Sequence, residues 1–247
     1  MALEPLWLVI ALVGAFLSGS VPYSVIIGKW RTGKDLREFN IGNPGGFNAV
    51  MTYGFTIGYI VIFVDILKGL IPMALIDWSF GNYIGTDTVW YKIAVILAPA
   101  LCILGHNYSP WLGFKGGRGS AVFIGTLLWV NPLVLIIHFI PFGFMIGILK
   151  VPTRVSSVLT FIFYLPAALF LPIAPPYSLT LSHSWILPQI GQFIYMMPFL
   201  IGLSIWLAML PRHIPSIISA IKGEEWTLKI GEGQKFSEKF DTKKEEA

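Results

Sequence analysis

The sequence predicts an all-α integral membrane protein with seven transmembrane helices, its N-terminus outside and its C-terminus cytoplasmic. Three observations lead there. Hydrophobic residues make up 55% of the chain and charged residues 12%, about half the charged share of a soluble domain, and the mean hydropathy is +0.72. Apolar runs recur at close to the ~20 residues that carry a helix across a hydrocarbon core. Lys and Arg then gather on alternate connections, as they do in cytoplasmic loops.

Taken in order, the apolar stretches are 6–27, 55–75, 89–104, 121–149, 155–174 and 190–210. The opening Met1-Ala2-Leu3-Glu4 has no basic segment of the kind that precedes a cleaved leader, so the first stretch is expected to remain as a span. The stretch 121–149 would make a single helix of about 43 Å, too long for one crossing without strong tilt. Asn131-Pro132 interrupts it with a turn signal. One kinked helix gives six spans; a short helix followed by a second gives seven.

Charge decides between them. With seven spans the inner side holds Lys29, Arg31, Lys34, Arg37, Lys115, Arg118, Lys150, Arg154, Arg212 and every later lysine. Of the 17 basic residues that leaves out Lys68, within a span, and Lys92. Six spans would put Lys150, Arg154 and the whole C-terminal set outside. The outer connections are then acidic or neutral: Asp77 to Asp87, Asn131-Pro132, and Pro175 to Pro188. Trp30, Trp78, Trp90, Trp129 and Trp185 fall near the expected interfaces. Residues 1–225 are read as one membrane domain and 226–247 as a charged, solvated cytoplasmic tail.

These features also exclude functions. A net charge of +4 is too small to imply nucleic acid, and Cys102, the single cysteine, excludes an intrachain disulfide or a cysteine metal cluster. No internal repeat of the kind found in many secondary transporters is present. His138 in an apolar run and His183 on an outer loop give no metal-ligand spacing, and no cofactor is expected.

Three inner segments differ from ordinary connectors. In Asn40-Ile41-Gly42-Asn43-Pro44-Gly45-Gly46-Phe47-Asn48, glycines and asparagines allow tight turns that expose N–H groups to an oxyanion. A plain glycine-rich turn is the alternative. Gly105-His106 and the run Lys115-Gly116-Gly117-Arg118-Gly119-Ser120 place two cations and glycines where the short fourth span opens. Unpaired N–H groups and nearby cations there suit phosphate, though the spacing is not that of a P-loop. Close helix packing is the other reading. The third segment, Pro211-Arg212-His213, follows the last span, and by itself could be an interface anchor. Within the second span, Asp65 and Lys68 share a helix face. A charge left in lipid there would cost roughly 2.5–3.5 kcal/mol, so the two pair or face a polar cavity.

The order of these motifs completes the reading. Gly19-Ser20-Val21-Pro22, Lys34-Asp35-Leu36-Arg37, Gly42-Asn43-Pro44-Gly45 with Asn48, Asp65 to Lys68-Gly69, Gly105-His106 and Phe114-Lys115-Gly116-Gly117-Arg118-Gly119 occur in succession. The sequence resembles the membrane acyl-phosphate:glycerol-3-phosphate acyltransferase family, the PlsY type, from residue 5 to about 225. The resemblance implies acyl transfer from acyl phosphate to the 1-hydroxyl of glycerol 3-phosphate, giving lysophosphatidic acid at the cytoplasmic face of the plasma membrane. It implies catalytic roles for His213 and Asn43. Substrate-binding roles follow for Asn40, Gly42, Gly45, Asn48, Lys68, His106, Lys115, Gly116, Gly117, Arg118 and Ser216. The family's serine falls at Ile41, its following arginine at Met51, and its lysine at Arg118. The last motif keeps His213 but shows Ile214 and Ser216. The partners expected are the two small-molecule substrates and membrane lipid, with oligomeric state left open. A non-catalytic lipid- or phosphate-binding relative is the alternative function, with a transporter behind it.

Overall fold

The structure, a computed structural model, describes residues 3–40, 42–85, 88–130, 132–151, 153–170 and 192–222. Among these residues the regular structure is helical throughout. The helices are α1 (Glu4–Ser20), α2 (Tyr23–Thr32), α3 (Gly46–Tyr53), α4 (Phe55–Tyr83), α5 (Val89–Asn107), α6 (Ser120–Val130), α7 (Pro132–Gly147), α8 (Thr153–Leu159), α9 (Phe161–Phe170) and α10 (Gln192–Ile221). Four stretches, Glu4–Thr32, Phe55–Phe80, Val89–Leu112 and Phe199–Ser219, are long and apolar enough to cross a membrane. Ser120–Val130, Leu135–Gly147 and Val155–Pro166 are shorter apolar helices. The described residues therefore form a helical membrane protein.

Close packing comes from small residues, because lipid offers no hydrophobic force to bring apolar helices together. Between α4 and α6 the glycines interlock. A Cβ on Gly69 would overlap the Val122 carbonyl, and one on Gly125 the Ile66 carbonyl. Gly19 of α1 and Gly105 of α5 are matched in the same way, against the carbonyls of Cys102 and Phe16. The resulting core runs from Ala11 and Ala15 through Ala94, Ala98 and Ile103 to Val122, Leu127, Ile201 and Met209.

The expected stretch 6–27 is broken. Pro22 cannot donate an N–H, so α1 stops at Ser20 and α2 begins at Tyr23. The carbonyls freed at the end of α1 find new donors: Lys68 Nζ reaches Val21 O at 3.1 Å and Ser109 Oγ reaches Ser20 O at 2.6 Å. Pro72 in α4 frees the Lys68 carbonyl in turn, which accepts from Ser18 Oγ (3.3 Å) and Cys102 Sγ (3.2 Å). That bond leaves Cys102 fully buried.

The stretch 121–149 divides into α6 and α7. The rings of Phe123 and His138 lie 4.7 Å apart. Fifteen positions along one helix would separate them by about 22 Å, so α7 folds back along α6. Asn131 itself lies outside the described residues.

Other boundaries also move. Asp77, expected in an outer connection, lies within α4, buried and bonded at 2.5 Å by the hydroxyl of Tyr91. Trp129 is buried rather than interfacial. Pro211-Arg212-His213 does not follow the last span, because α10 continues through it to Ile221. There α10 packs against α5, α8 and α9. The outer segment 175–188, Trp185, His183 and the tail 226–247 lie outside the described residues.

Candidate functional site

The loop between α2 and α3 is organised by its own side chains. Asn40 takes a left-handed turn (φ +48°), which asparagine tolerates better than most residues, and its amide donates to Thr52 Oγ1 at 2.8 Å. Asn48, fully buried, has Nδ2 within reach of the carbonyls of Leu36, Phe39 and Asn43, at 3.0, 3.2 and 2.8 Å. Asn43 Oδ1 accepts from Gly45 N, a turn that mimics a backbone turn. Just upstream, Asp35 is clasped by Arg37 (2.8 Å) and Lys29 (3.0 Å). The Arg37 guanidinium, followed by the Lys29 ammonium, holds its carboxyl well below the usual carboxylate range against the opposing effect of burial. Burial, with the Asp35 charge nearby, pushes the Tyr53 hydroxyl up to about 12. Tyr53 donates to Lys34 O at 3.0 Å.

The glycine-rich loop before α6 lies flat on the end of α5. Gly116 and Gly117 donate their N–H groups to the carbonyls of Asn107 and His106, each at 3.1 Å. A Cβ on Gly117 would strike the His106 ring, and one on Gly116 the His106 carbonyl. These amides are spent within the protein; the glycines serve the close approach. Arg212 of α10 clamps the same loop, with Nε on Gly117 O at 3.1 Å and Nη2 on Gly116 O, and its guanidinium faces the Tyr108 ring. Arg212 entered the sequence reading as a charge rather than a site residue. Its place beside His213 in the sequence is the available signal.

Between these loops lies a cavity of about 410 Å³. Asn43, Gly45, Asn48, His106, Arg118 and His213 line it, so residues of the three inner segments share one space. Gly119, Ser120 and Ala121 bring the start of α6 to the same wall, where the first N–H groups of a helix lack intrahelical partners. His213 is buried, with Nδ1 3.5 Å from Ser157 Oγ and Nε2 3.4 Å from the Arg118 carbonyl. Most of the remaining wall is apolar, with Phe47, Ile62, Ile124, Phe139 and Phe142, and Asp65 and Ser157 are its polar members.

The other expected residues stand elsewhere. Lys68 is buried in an ion pair with Asp65 (2.9 Å) and caps α1; it faces a separate space of about 10 Å³, room for one water, beside His106. Asp65, rather than Lys68, contributes to the large cavity. Lys115 is exposed at the loop edge, and Asn40, Gly42, Gly116, Gly117 and Ser216 are not among the lining residues. Met51 is buried on α3, away from the cavity, and Ile41 lies outside the described residues. Sequence reasoning missed Ser157, Phe139 and Phe142. No spacing relates Ser157 to His213, and phenylalanines in an apolar span carry no contrast.

Residues 9–223 match the family model described as glycerol-3-phosphate acyltransferase. The glycerol-3-phosphate acyltransferase of Staphylococcus saprophyticus is 32% identical over 223 residues, 90% of this chain and 98% of that protein. That of Staphylococcus haemolyticus is 30% identical over 224 residues, again 90% and 98%. Among solved structures, the crystal structure of PlsY (YgiH), an integral membrane glycerol 3-phosphate acyltransferase in its glycerol 3-phosphate form, superposes with a TM-score of 0.66 at 24% identity. The match covers 90% of this chain and 96% of that one. By family model, relatives and fold together, this chain belongs to the glycerol-3-phosphate acyltransferase family.

Proposed function

We propose that the 410 Å³ cavity is where glycerol 3-phosphate meets an acyl phosphate, at the cytoplasmic face of the plasma membrane. Acyl transfer to glycerol 3-phosphate, giving lysophosphatidic acid, is the reaction of the family and of this chain. The donor, the face and the residue roles are the added reading. One observation carries it: a polar end built by Asn43, Arg118, His213 and the start of α6 opens onto an apolar wall.

Each end suits one part of the chemistry. Arg118 presents a planar fork of donors that matches a phosphate, supported by the positive end of α6. Asn43 and His213 stand where a reacting carbonyl and hydroxyl would lie beside that phosphate. Ile62, Ile124, Phe139 and Phe142 take the acyl chain, and Phe139 is 39% exposed, which leaves the wall open toward lipid. An acyl phosphate is a mixed anhydride and already activated. The protein's task is orientation and stabilisation of the oxyanion. Gly45 and Asn48 shape the first loop, while Gly116 and Gly117 let the second lie close to His106. Lys115 attracts anions at the rim, and Asn40, Gly42, Lys68 and Ser216 support the walls.

Seven membrane segments complete the proposal: the four long stretches, the α6–α7 hairpin and α8 with α9. The one-sided basic residues support a cytoplasmic cavity. The direct test supplies purified protein with acyl phosphate and glycerol 3-phosphate and measures lysophosphatidate. Product formed from acyl thioester but not from acyl phosphate would overturn the choice of donor.

A further inference from the structure

We propose that Asp65 selects the acceptor of this site: its carboxylate takes a hydrogen bond from the 2-hydroxyl of glycerol 3-phosphate. A three-carbon phosphate with a ketone at that carbon, or with no oxygen there, is refused, and the terminal hydroxyl is left to be acylated. The proposal rests on the acyltransferase reading above and deepens it.

Asp65 is the only carboxylate among the described residues that line the cavity, and it is 1% exposed. Its Oδ1 stands 2.9 Å from the Lys68 ammonium, which also reaches the Val21 carbonyl at 3.1 Å. That attraction is one of charge: no described residue donates a well-aligned hydrogen bond to either oxygen, and Oδ2 faces no donor at all among them. Buried polar atoms are nearly always met, so an oxygen left unmet on a cavity wall marks a place where a ligand donates. Lys68 makes such a place tolerable. By neutralising the carboxylate it lets Asp65 stand in a space that receives a phosphate, where a bare negative charge would repel the substrate.

Position and chemistry narrow the ligand. Gly46 of the first loop lies so close to Ile62 that a Cβ there would strike its side chain, and Gly69 lies against the Val122 carbonyl of α6. Along α4, Asp65 falls between these two contacts, one turn or about 5 Å from Ile62. It is thus set between the first loop and α6. A carboxylate only accepts, so its ligand must donate. An ionised acyl phosphate carries acceptors alone at its reacting end, whereas glycerol 3-phosphate brings two hydroxyls. The terminal one loses its hydrogen in the reaction; the middle one keeps it through to lysophosphatidate. A contact to the middle hydroxyl therefore holds unchanged through the transfer, and with that group anchored the terminal oxygen is the one presented to the acyl carbon. Dihydroxyacetone phosphate would set a ketone oxygen against the carboxylate, acceptor facing acceptor. A site built to bond a hydroxyl rejects an analogue without it, because its own polar atom is left unmet.

The test titrates full-length protein in lipid nanodiscs, by calorimetry, with glycerol 3-phosphate, dihydroxyacetone phosphate and 3-hydroxypropyl phosphate, which lacks the 2-hydroxyl. Wild type is expected to bind glycerol 3-phosphate roughly 10- to 100-fold more tightly than either analogue. Affinities within about threefold of one another overturn the proposal without any variant. The same acceptors are then compared by kcat/KM with acyl phosphate as donor. Asp65→Asn should bring all three within about threefold, since its amide donates to a ketone as readily as it accepts from an alcohol. Asp65→Asn strands the Lys68 charge, so the paired variant Asp65→Asn with Lys68→Gln repeats the comparison in a wall without either charge. A wild-type preference that survives in these variants overturns the role of Asp65. Preferential binding of glycerol 3-phosphate with no turnover from acyl phosphate refutes the donor reading alone, whereas turnover blind to the 2-hydroxyl refutes selection by Asp65 alone.

Discussion

Arg118 is the residue on which the phosphate reading depends most, because it lines the cavity where α6 opens. Replacing it by alanine removes a charge-assisted contact of about 1.5–3 kcal/mol, a tenfold to hundredfold loss in kcat/KM for the phosphorylated substrates. Steady-state assays on the purified variant check this. Ile41→Ser restores the hydroxyl that the family pattern carries, and turnover in the same assay should stay level or rise. A fall would mean that Ile41 packs against something the serine cannot replace. Arg118 and His213 could be found from sequence because a cation among glycines, or a charged pair at the end of an apolar run, breaks the local pattern. Lys68 was equally visible, yet its ammonium is committed to Asp65 and the Val21 carbonyl. A pattern shows that a charge has been retained and says nothing of which neighbour it serves.

At the level of elements, two features carry predictions. The first is the loop clasp around Asp35. A carboxyl held below its unfolded value adds stability that is complete above the ordinary carboxylate range and fades as pH falls through the lowered value. Thermal unfolding should therefore show no pH dependence from this clasp between pH 5 and 9, a loss only below about pH 4, and no such acid limb in Asp35→Asn. The second is the interlock of Gly69 and Gly125. Gly125→Val would force α4 and α6 apart, at about 1–3 kcal/mol for overpacking, read as a lowered Tm in detergent. Loss of the α6 position should reduce activity with it, since α6 carries Ser120 and Ala121 into the cavity wall. Helix ends were less legible than helix existence. Pro22 ends α1, whereas Pro72 and Pro211 lie inside helices, because neighbouring donors and packing make up what those prolines remove. Whether a freed carbonyl finds a partner is a tertiary fact.

For the whole molecule, alternating charge and apolar run length carried the class of fold: an all-helical membrane protein whose fourth and fifth segments form a hairpin. The contact of Phe123 with His138 supports the turn that charge counting required. The four long stretches alone would have left α6 to α9 unassigned, since none of these reaches ordinary crossing length. A cysteine placed at Asn131 should be modified from the outer side of intact cells, and one placed at Lys222 only after permeabilisation. The reverse pattern would invert the proposed orientation. Separating the two halves of the cavity wall was beyond sequence. In a span whose residues are nearly all apolar, a phenylalanine facing lipid and one facing an acyl chain look the same.

That experiment draws on a property of the native chain. Cys102 is the only cysteine, it has no exposed surface, and its sulfur is bonded to the Lys68 carbonyl. A water-soluble maleimide has nothing to reach in the folded wild type, so the unmodified protein supplies its own blank. Each introduced thiol becomes a single reporter without a cysteine-free background having to be built. Labelling that appears in the wild type itself then reports the α1–α4–α5 junction coming apart, a direct chemical readout of unfolding at that helix seam.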